Sequence, residues 1–503
     1  MLAFAMLIAL IANPTPNPAL VHHPVSTKIL AAQQKFDEGL TLVYAFNRAE
    51  ARKRFEEAAQ LDPKLAIAWW GVALGVGPNI NERMKPDDLL AAHAALAKAQ
   101  ALEPDASPEE RRYIAALAVR YPADITADTR KPYAAYRDAM KSLAADYPAD
   151  LDASVLYAES IMDLGGLAYT GGAPSAQDQT IVSVLSAVLA RDPHHVGANH
   201  YLIHAWDHAG YGERALASAD YLSGLTYEPA ASHLQHMPGH TYLDVGDLGA
   251  LENVGRLSSL LDDAYAKDLG VDPFSLTYHR HNLDFWAGGA LLIDERGEID
   301  QATAEYTAGH NVGAILIYAR EHDYALVDAF PQPKEPKGFA LAEWHYARCI
   351  SALGRADVAA ATLELSGLDA FIKARYHMPP IDFPVAALAH ARVAHALGDD
   401  ATAIALFHRA LDEAKDYSPE SFPPWYYPAG EWLGDILLER GDLDGAEAAF
   451  RDDLKRTPNN ARVLYGLMRT LMREGRLAEV RALAPKIAAN WRGDSIDLHA
   501  PDF

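Results

Sequence analysis

Two histidine pairs recur at matching places in the chain: His200 and His204 in NHYLIH, and His236 and His240 in HMPGH. The offset from His200 to His236 is 36 residues, and that from His204 to His240 is the same. Residues four apart share a helix face with Cβ atoms about 6 Å apart, so each pair can grip one metal ion. Carried on equivalent helices packed about 8–10 Å apart, four imidazoles would converge on one pocket. Imidazoles with carboxylates suit zinc, copper, iron or manganese, whereas calcium and magnesium want oxygen donors. Three histidines with an open fourth position would polarise a water or bind dioxygen, and a second metal could equally divide the cluster.

Neighbouring residues extend the set. Asp207 lies three residues beyond His204, and His233 three before His236. The stretch YHRHNLD brings His281 and Asp284 as further ligand candidates. Glu159, in the otherwise apolar YAESIMDL, is the candidate acid–base, against the plain reading of a surface carboxylate. His208 and His279 read as surface residues, and Met237 falls on another helix face from its flanking histidines. The competing account of the paired histidines is duplication of a repeat without function. Against it, four buried imidazoles with neither a shared proton nor a metal are costly to satisfy.

The elements that must position these residues are helices. Alanine-rich stretches such as Ala91–Ala101 favour helix and allow close approach. Ala51, Phe55, Ala58 and Pro63 show the spacing of the second helix of a tetratricopeptide-type hairpin, as do Ala92, Leu96, Ala99 and Pro104. Ala403, Phe407 and Ala410 follow Gly398; Ala446, Phe450 and Pro458 follow Gly441. Gly297 before Ala302 and Gly354 before Ala359 keep the same offset and read as inter-helix glycines, as do Gly210 and Gly246. Ser107-Pro108-Glu109-Glu110 spells a capped helix start. The fold expected is all-α, a right-handed solenoid of tetratricopeptide-type helix hairpins. It is divided into an apolar N-terminal segment with a Pro-rich linker (1–29), N-terminal and central repeats with the histidine cluster (30–330), and C-terminal repeats (331–503). Loops interrupt it near Gly165–Pro174, Pro331–Lys337 and Ser418–Pro428.

The 503 residues include 68 acidic and 44 basic ones, a formal charge of −24 with no Lys or Arg run, so nucleic acid is excluded as a partner. A single cysteine, Cys349, rules out an internal disulfide or a cysteine-based zinc site. The opening MLAFAMLIALIA is too short to span a bilayer and matches the apolar part of an export signal, although no basic residue precedes it. A periplasmic or secreted protein is expected, with a cytoplasmic one as the alternative, and no membrane span in the mature chain. GVALGVG lacks the lysine of a phosphate loop, and Ser218 and Ser223 lack a nucleophile-elbow context.

The segments YAFNRAEARKRFEEAAQLDP, AWWGVALGVGPNIN, LYAESIMDL, GANHYLIHAWD, HLQHMPGHTYLDVGD and YHRHNLDF together resemble a largely uncharacterised bacterial family of tetratricopeptide proteins. The resemblance covers about residues 36 to 286. It implies a repeat fold, frequent export and a histidine cluster, with His200, His204, His236, His240, His281, Glu159, Asn79 and Asn81 as pocket residues. Arg48 and Asp284 stand where the family often has His, so neither supplies an imidazole here. Two functions compete. One is a metalloenzyme with histidine ligands, Glu159 as acid–base and a small molecule or peptide in the groove. The other is a non-catalytic peptide- or protein-binding scaffold. The sequence leaves the oligomeric state open.

Overall fold

The computed structural model describes residues 20–124, 128–165, 169–170, 173–207, 211–334, 339–413 and 428–493. The apolar start through residue 19, His208, Gly210 and the loop at 418–427 lie outside the described residues. The chain divides into two compact units, Met1–Thr241 with Leu261–Tyr265, and Tyr242–Leu260 with Ala266–Phe503. Each is all-α helical-repeat solenoid in architecture. Among the described residues the β-structure is confined to a two-residue pairing of Tyr169–Thr170 with Ala173–Pro174. No described helix is long and apolar enough to cross a membrane.

In the first unit, α1 (Leu30–Tyr44), α2 (Arg48–Leu61) and α3 (Ala66–Gly75) are followed by α4 (Pro86–Ala101), α5 (Pro108–Ala118), α6 (Arg130–Asp146), α7 (Leu151–Met162), α8 (Ala176–Leu189), α9 (Val196–Trp206), α10 (Leu216–Ser223) and α11 (Ser232–His236). Ala51, Phe55 and Ala58 are fully buried on α2, as their spacing predicts. Gly39 of α1 and Gly71 of α3 explain how the helices close on Phe55: a Cβ at either would lie 2.8 or 2.4 Å from its ring. The second unit repeats the device. With α22 (Ala429–Glu439), α23 (Leu443–Asp453) and α24 (Ala461–Arg473), Gly434 and Gly466 would each place a Cβ 2.4 Å from the ring of Phe450. Glycine, phenylalanine and glycine are 16 residues apart in both triplets. An aromatic wedge from each second helix fills the gap left by glycine on both neighbours, the steric basis of the repeat.

Six of the described hairpin turns follow one rule. A residue with φ between +57° and +80° ends the first helix at Phe46, Gly246, His322, Ala356, Gly398 and Gly441. The next residue, Asn47, Asp247, Asp323, Asp357, Asp399 or Asp442, caps the following helix by accepting a backbone N–H three residues on. This left-handed residue closes the helix C-terminus as a Schellman-type turn, and the Asx side chain opens the next helix at once. Two expectations are corrected by it. Gly297 lies inside α15 (Arg296–Ala308), while Asp294 takes the left-handed turn; Gly354 is the last residue of α18 (Ala340–Gly354), and Ala356 turns. Offset alone does not distinguish a helical glycine from a turning one. The capped start at Ser107 forms as expected, with Ser107 Oγ accepting from Glu110 N at 3.1 Å and Glu110 from Ser107 N at 2.8 Å.

Candidate metal centre

The histidine array in the first unit begins with α9. Its N-cap, His195, accepts the N–H of Ala198 on Nδ1 at 3.3 Å, and the helix is buried along its whole length. Gly197 lets it approach α1: a Cβ there would lie 2.7 Å from the ring of Tyr44. The spacing of four puts His200 and His204 on one face, ring centroids 4.8 Å apart, at 0% and 6% exposure. His200 Nδ1 lies 2.6 Å from the carbonyl oxygen of Tyr44. A carbonyl can only accept, so Nδ1 carries the proton and Nε2 presents its lone pair.

A third imidazole joins from α11. His233 lies with its ring centroid 5.0 Å from that of His200 and 6.1 Å from that of His204. One nitrogen from each of the three falls within 4.8 Å of the others. Phe46, the left-handed turn residue after α1, lays its ring against all three, with centroids 4.7, 5.6 and 5.0 Å from His200, His204 and His233. A bulky side chain at φ +57° is strained by about 1–3 kcal/mol, and the strain sits where the ring keeps water from the imidazoles.

The second pair departs from expectation in its carrier. HMPGH does not form one regular helix, because Pro238 has no N–H to donate; the chain breaks between α11 and α12 (Pro238–Val245). His236 and His240 nevertheless meet, Nε2 to Nε2, at 2.9 Å. His240 Nδ1 stands 3.1 Å from Asp207 Oδ2. Two imidazole nitrogens that close share a proton or a cation. His233 links the groups, its centroid 5.7 Å from that of His236.

Burial keeps His200 and His204 neutral. It holds His200 well below the usual imidazole range, reinforced by the charge of His204 and opposed by the Tyr44 carbonyl. It brings His204 down to about 3, against the attraction of Asp207. Neutral imidazole is the ligating form. The residues fit a metal by one further observation: Nε2 of His200 and Nε2 of His204 are buried and meet no hydrogen-bond partner. A buried acceptor left so costs about 1–3 kcal/mol, and two on adjacent rings with a third imidazole make a ready ligand set.

Glu159, Asn79 and Asn81 are engaged in other contacts. Glu159 on α7 is buried, but its Oε1 receives Arg120 at 3.0 Å, and Arg120 also binds Asp163. Burial and the charge of Glu159 push the Asp163 carboxyl well up, against the pull of the Arg120 guanidinium. That commitment revises the acid–base role expected of Glu159. Asn79 builds its loop, its Oδ1 accepting from Asn81 N at 2.9 Å and Glu82 N at 2.7 Å, and Asn81 is exposed. His281 and Asp284 lie on α14 (His279–Ile293), which belongs to the second unit. His281 is half-buried against Phe285 at 4.6 Å, and Asp284 accepts from Tyr306 Oη at 2.5 Å. His279 is corrected from surface to core: it is 1% exposed and packs edge-on to Phe274 at 4.8 Å. The residue that spacing undervalued is His233, whose only sequence signal is its position one turn before His236.

Residues 437–494 match the tetratricopeptide repeat family. None of the curated proteins matches the chain. Among solved structures, the chain is similar to the APC/C hetero-tetramer Cut9-Hcn1, at 14% identity over 91% of this chain and 73% of that one, with a TM-score of 0.31. It is similar to the human IFIT1 dimer with m7Gppp-AAAA at 13% identity over 92% and 90%, TM-score 0.34, and to yeast Tom70 at 10% over 92% and 86%, TM-score 0.24. Likeness at these values adds nothing about ligand or activity.

Proposed function

We propose that this chain is a metal-binding helical-repeat protein whose first unit holds a transition-metal ion on His200, His204 and His233, with His236 and His240 extending the array. What supports this reading is the pair of buried, unpartnered Nε2 atoms on His200 and His204, beside a third imidazole. An all-imidazole set favours zinc, copper or iron over manganese, and Cys349 is buried in the second unit, with its thiol pushed up to about 12 by burial. A bound ion would supply Lewis-acid character at an apolar, phenylalanine-covered site. With Glu159 tied to Arg120, the reading stops at binding and assigns no reaction. The NHYLIH and HMPGH motifs, and the bacterial family they resemble, belong to the same proposal, as does export on the apolar run at residues 1–12.

Elemental analysis of untagged protein tests it, followed by zinc titration of the stripped chain. About one ion per chain is expected, lost in His200→Ala and His204→Ala while both variants stay folded. A wild-type chain that purifies without metal and takes up no zinc in the micromolar range would end the proposal. The match at residues 437–494 supports a second reading, in which C-terminal hairpins bind a peptide. Binding of that kind would survive a chelator.

A further inference from the structure

A cavity of about 600 Å³ in the first unit lies against an N-terminal strap, Leu20–Pro24, the start of α5, the start of α7 and the N-cap of α9. Its lining includes Glu109, Glu110, Asp150, Asp152 and Asp192, and no Lys or Arg. At one wall His23 Nδ1 stands 2.9 Å from Asp152 Oδ2 and 3.8 Å from Asp150 Oδ1. One donor atom from each of the three lies within 4.8 Å of the others. Glu109 lines the same cavity as Asp150 and Asp152.

We propose that His23, Asp150 and Asp152 form a second cation site, independent of the imidazole array, that takes a hard divalent ion of the manganese class, with Glu109 at its mouth. The donor set decides the class. Carboxylates and water suit magnesium, calcium and manganese, and a single imidazole among them selects manganese over the other two. Such an ion keeps several waters, and the cavity has room for them beside the protein donors. The carboxylates are held from behind as ligands usually are. Asp152 Oδ1 receives Tyr44 Oη at 2.7 Å and His195 Nε2 at 3.3 Å; Asp150 Oδ2 receives Tyr113 Oη at 2.5 Å, and its Oδ1 caps Ala153 at 3.2 Å. His23 is fixed through its backbone, its N–H donating to Asp37 at 3.1 Å and its carbonyl accepting from Gln33 at 2.7 Å. The alternative is a plain ion pair of His23 with Asp152 that fastens the strap and binds nothing.

Electron paramagnetic resonance titration of the metal-stripped full chain with Mn²⁺ separates the two. One Mn²⁺ per chain is expected in wild type and in the His200→Ala/His204→Ala double variant, with affinity at least tenfold weaker in Asp152→Asn. Nitrogen-14 modulation in the pulsed spectrum of the bound ion should mark the imidazole and vanish in His23→Gln, whose amide can still hydrogen-bond to Asp152. That second variant decides the matter if Asp152→Asn fails to fold. Absence of Mn²⁺ binding in wild type, modulation that persists in His23→Gln, or loss of the ion only with His200 and His204 would overturn the proposal. The last outcome would leave the imidazole centre standing alone.

Discussion

The carbonyl oxygen of Tyr44 accepts the Nδ1 proton of His200 at 2.6 Å, so the end of α1 determines which nitrogen of an α9 imidazole offers its lone pair. The same residue reaches the other way, its hydroxyl donating to Asp152 at 2.7 Å. Backbone and side chain of one tyrosine thus serve two separate clusters.

Tyr44→Phe keeps the carbonyl and removes the hydroxyl. Zinc content should not change, while thermal unfolding should show a loss of about 0.5–2 kcal/mol, since Asp152 retains its two histidine partners. Gly197→Ala should do the opposite kind of damage. Its Cβ would press on the Tyr44 ring from 2.7 Å, moving the carbonyl with it, so both stability and zinc affinity should fall, the former by about 1–3 kcal/mol. Equal zinc affinity in Gly197→Ala and wild type would contradict the orienting role of Tyr44.

His233→Ala and Glu159→Gln separate the proposed centre from the one that spacing suggests. Removing His233 should weaken zinc at least tenfold. Glu159→Gln should leave zinc stoichiometry intact and cost about 1–3 kcal/mol of stability, a limited sum because Asp163 still pairs with Arg120. Zinc loss in Glu159→Gln, at unchanged helicity, would restore that carboxyl to the centre.

Asp284 gives a pH dependence in the second unit. Burial raises its carboxyl to about 6, against the pull of Arg280 and the hydrogen bond from Tyr306. The folded chain therefore holds this proton more tightly than the unfolded chain does. The stability it lends is fully present below about pH 4 and is lost as pH rises through about 6, on the order of 2–3 kcal/mol. Difference melting curves of wild type against Asp284→Asn should slope across pH 4–6 and run flat above it. A difference that stays constant from pH 4 to 7 would show the carboxyl to be ordinary.

Much of the scaffold was legible before any coordinates. Ala51, Phe55 and Ala58 announce a buried helix stripe, and Gly-Asp at 246–247, 398–399 and 441–442 announces the turn, because backbone sterics and capping are local. Phe46 and Ala356 hid the same turn, since neither side chain favours the left-handed conformation it adopts. The shared face of His200 and His204 is legible for a similar reason: spacing on a helix fixes a face.

Sequence alone determined the helix pairs, the face that His200 and His204 share, and the supply of imidazoles without thiolate. Tertiary structure decided which groups meet. It drew His233 to His200, gave Glu159 to Arg120, and placed His23 against Asp152, partners 129 positions away along the chain. Periodicity specifies direction around one helix axis, whereas a ligand set depends on how separate helices dock, and that is settled by wedges such as Phe55 and by close approaches such as Gly197 on Tyr44.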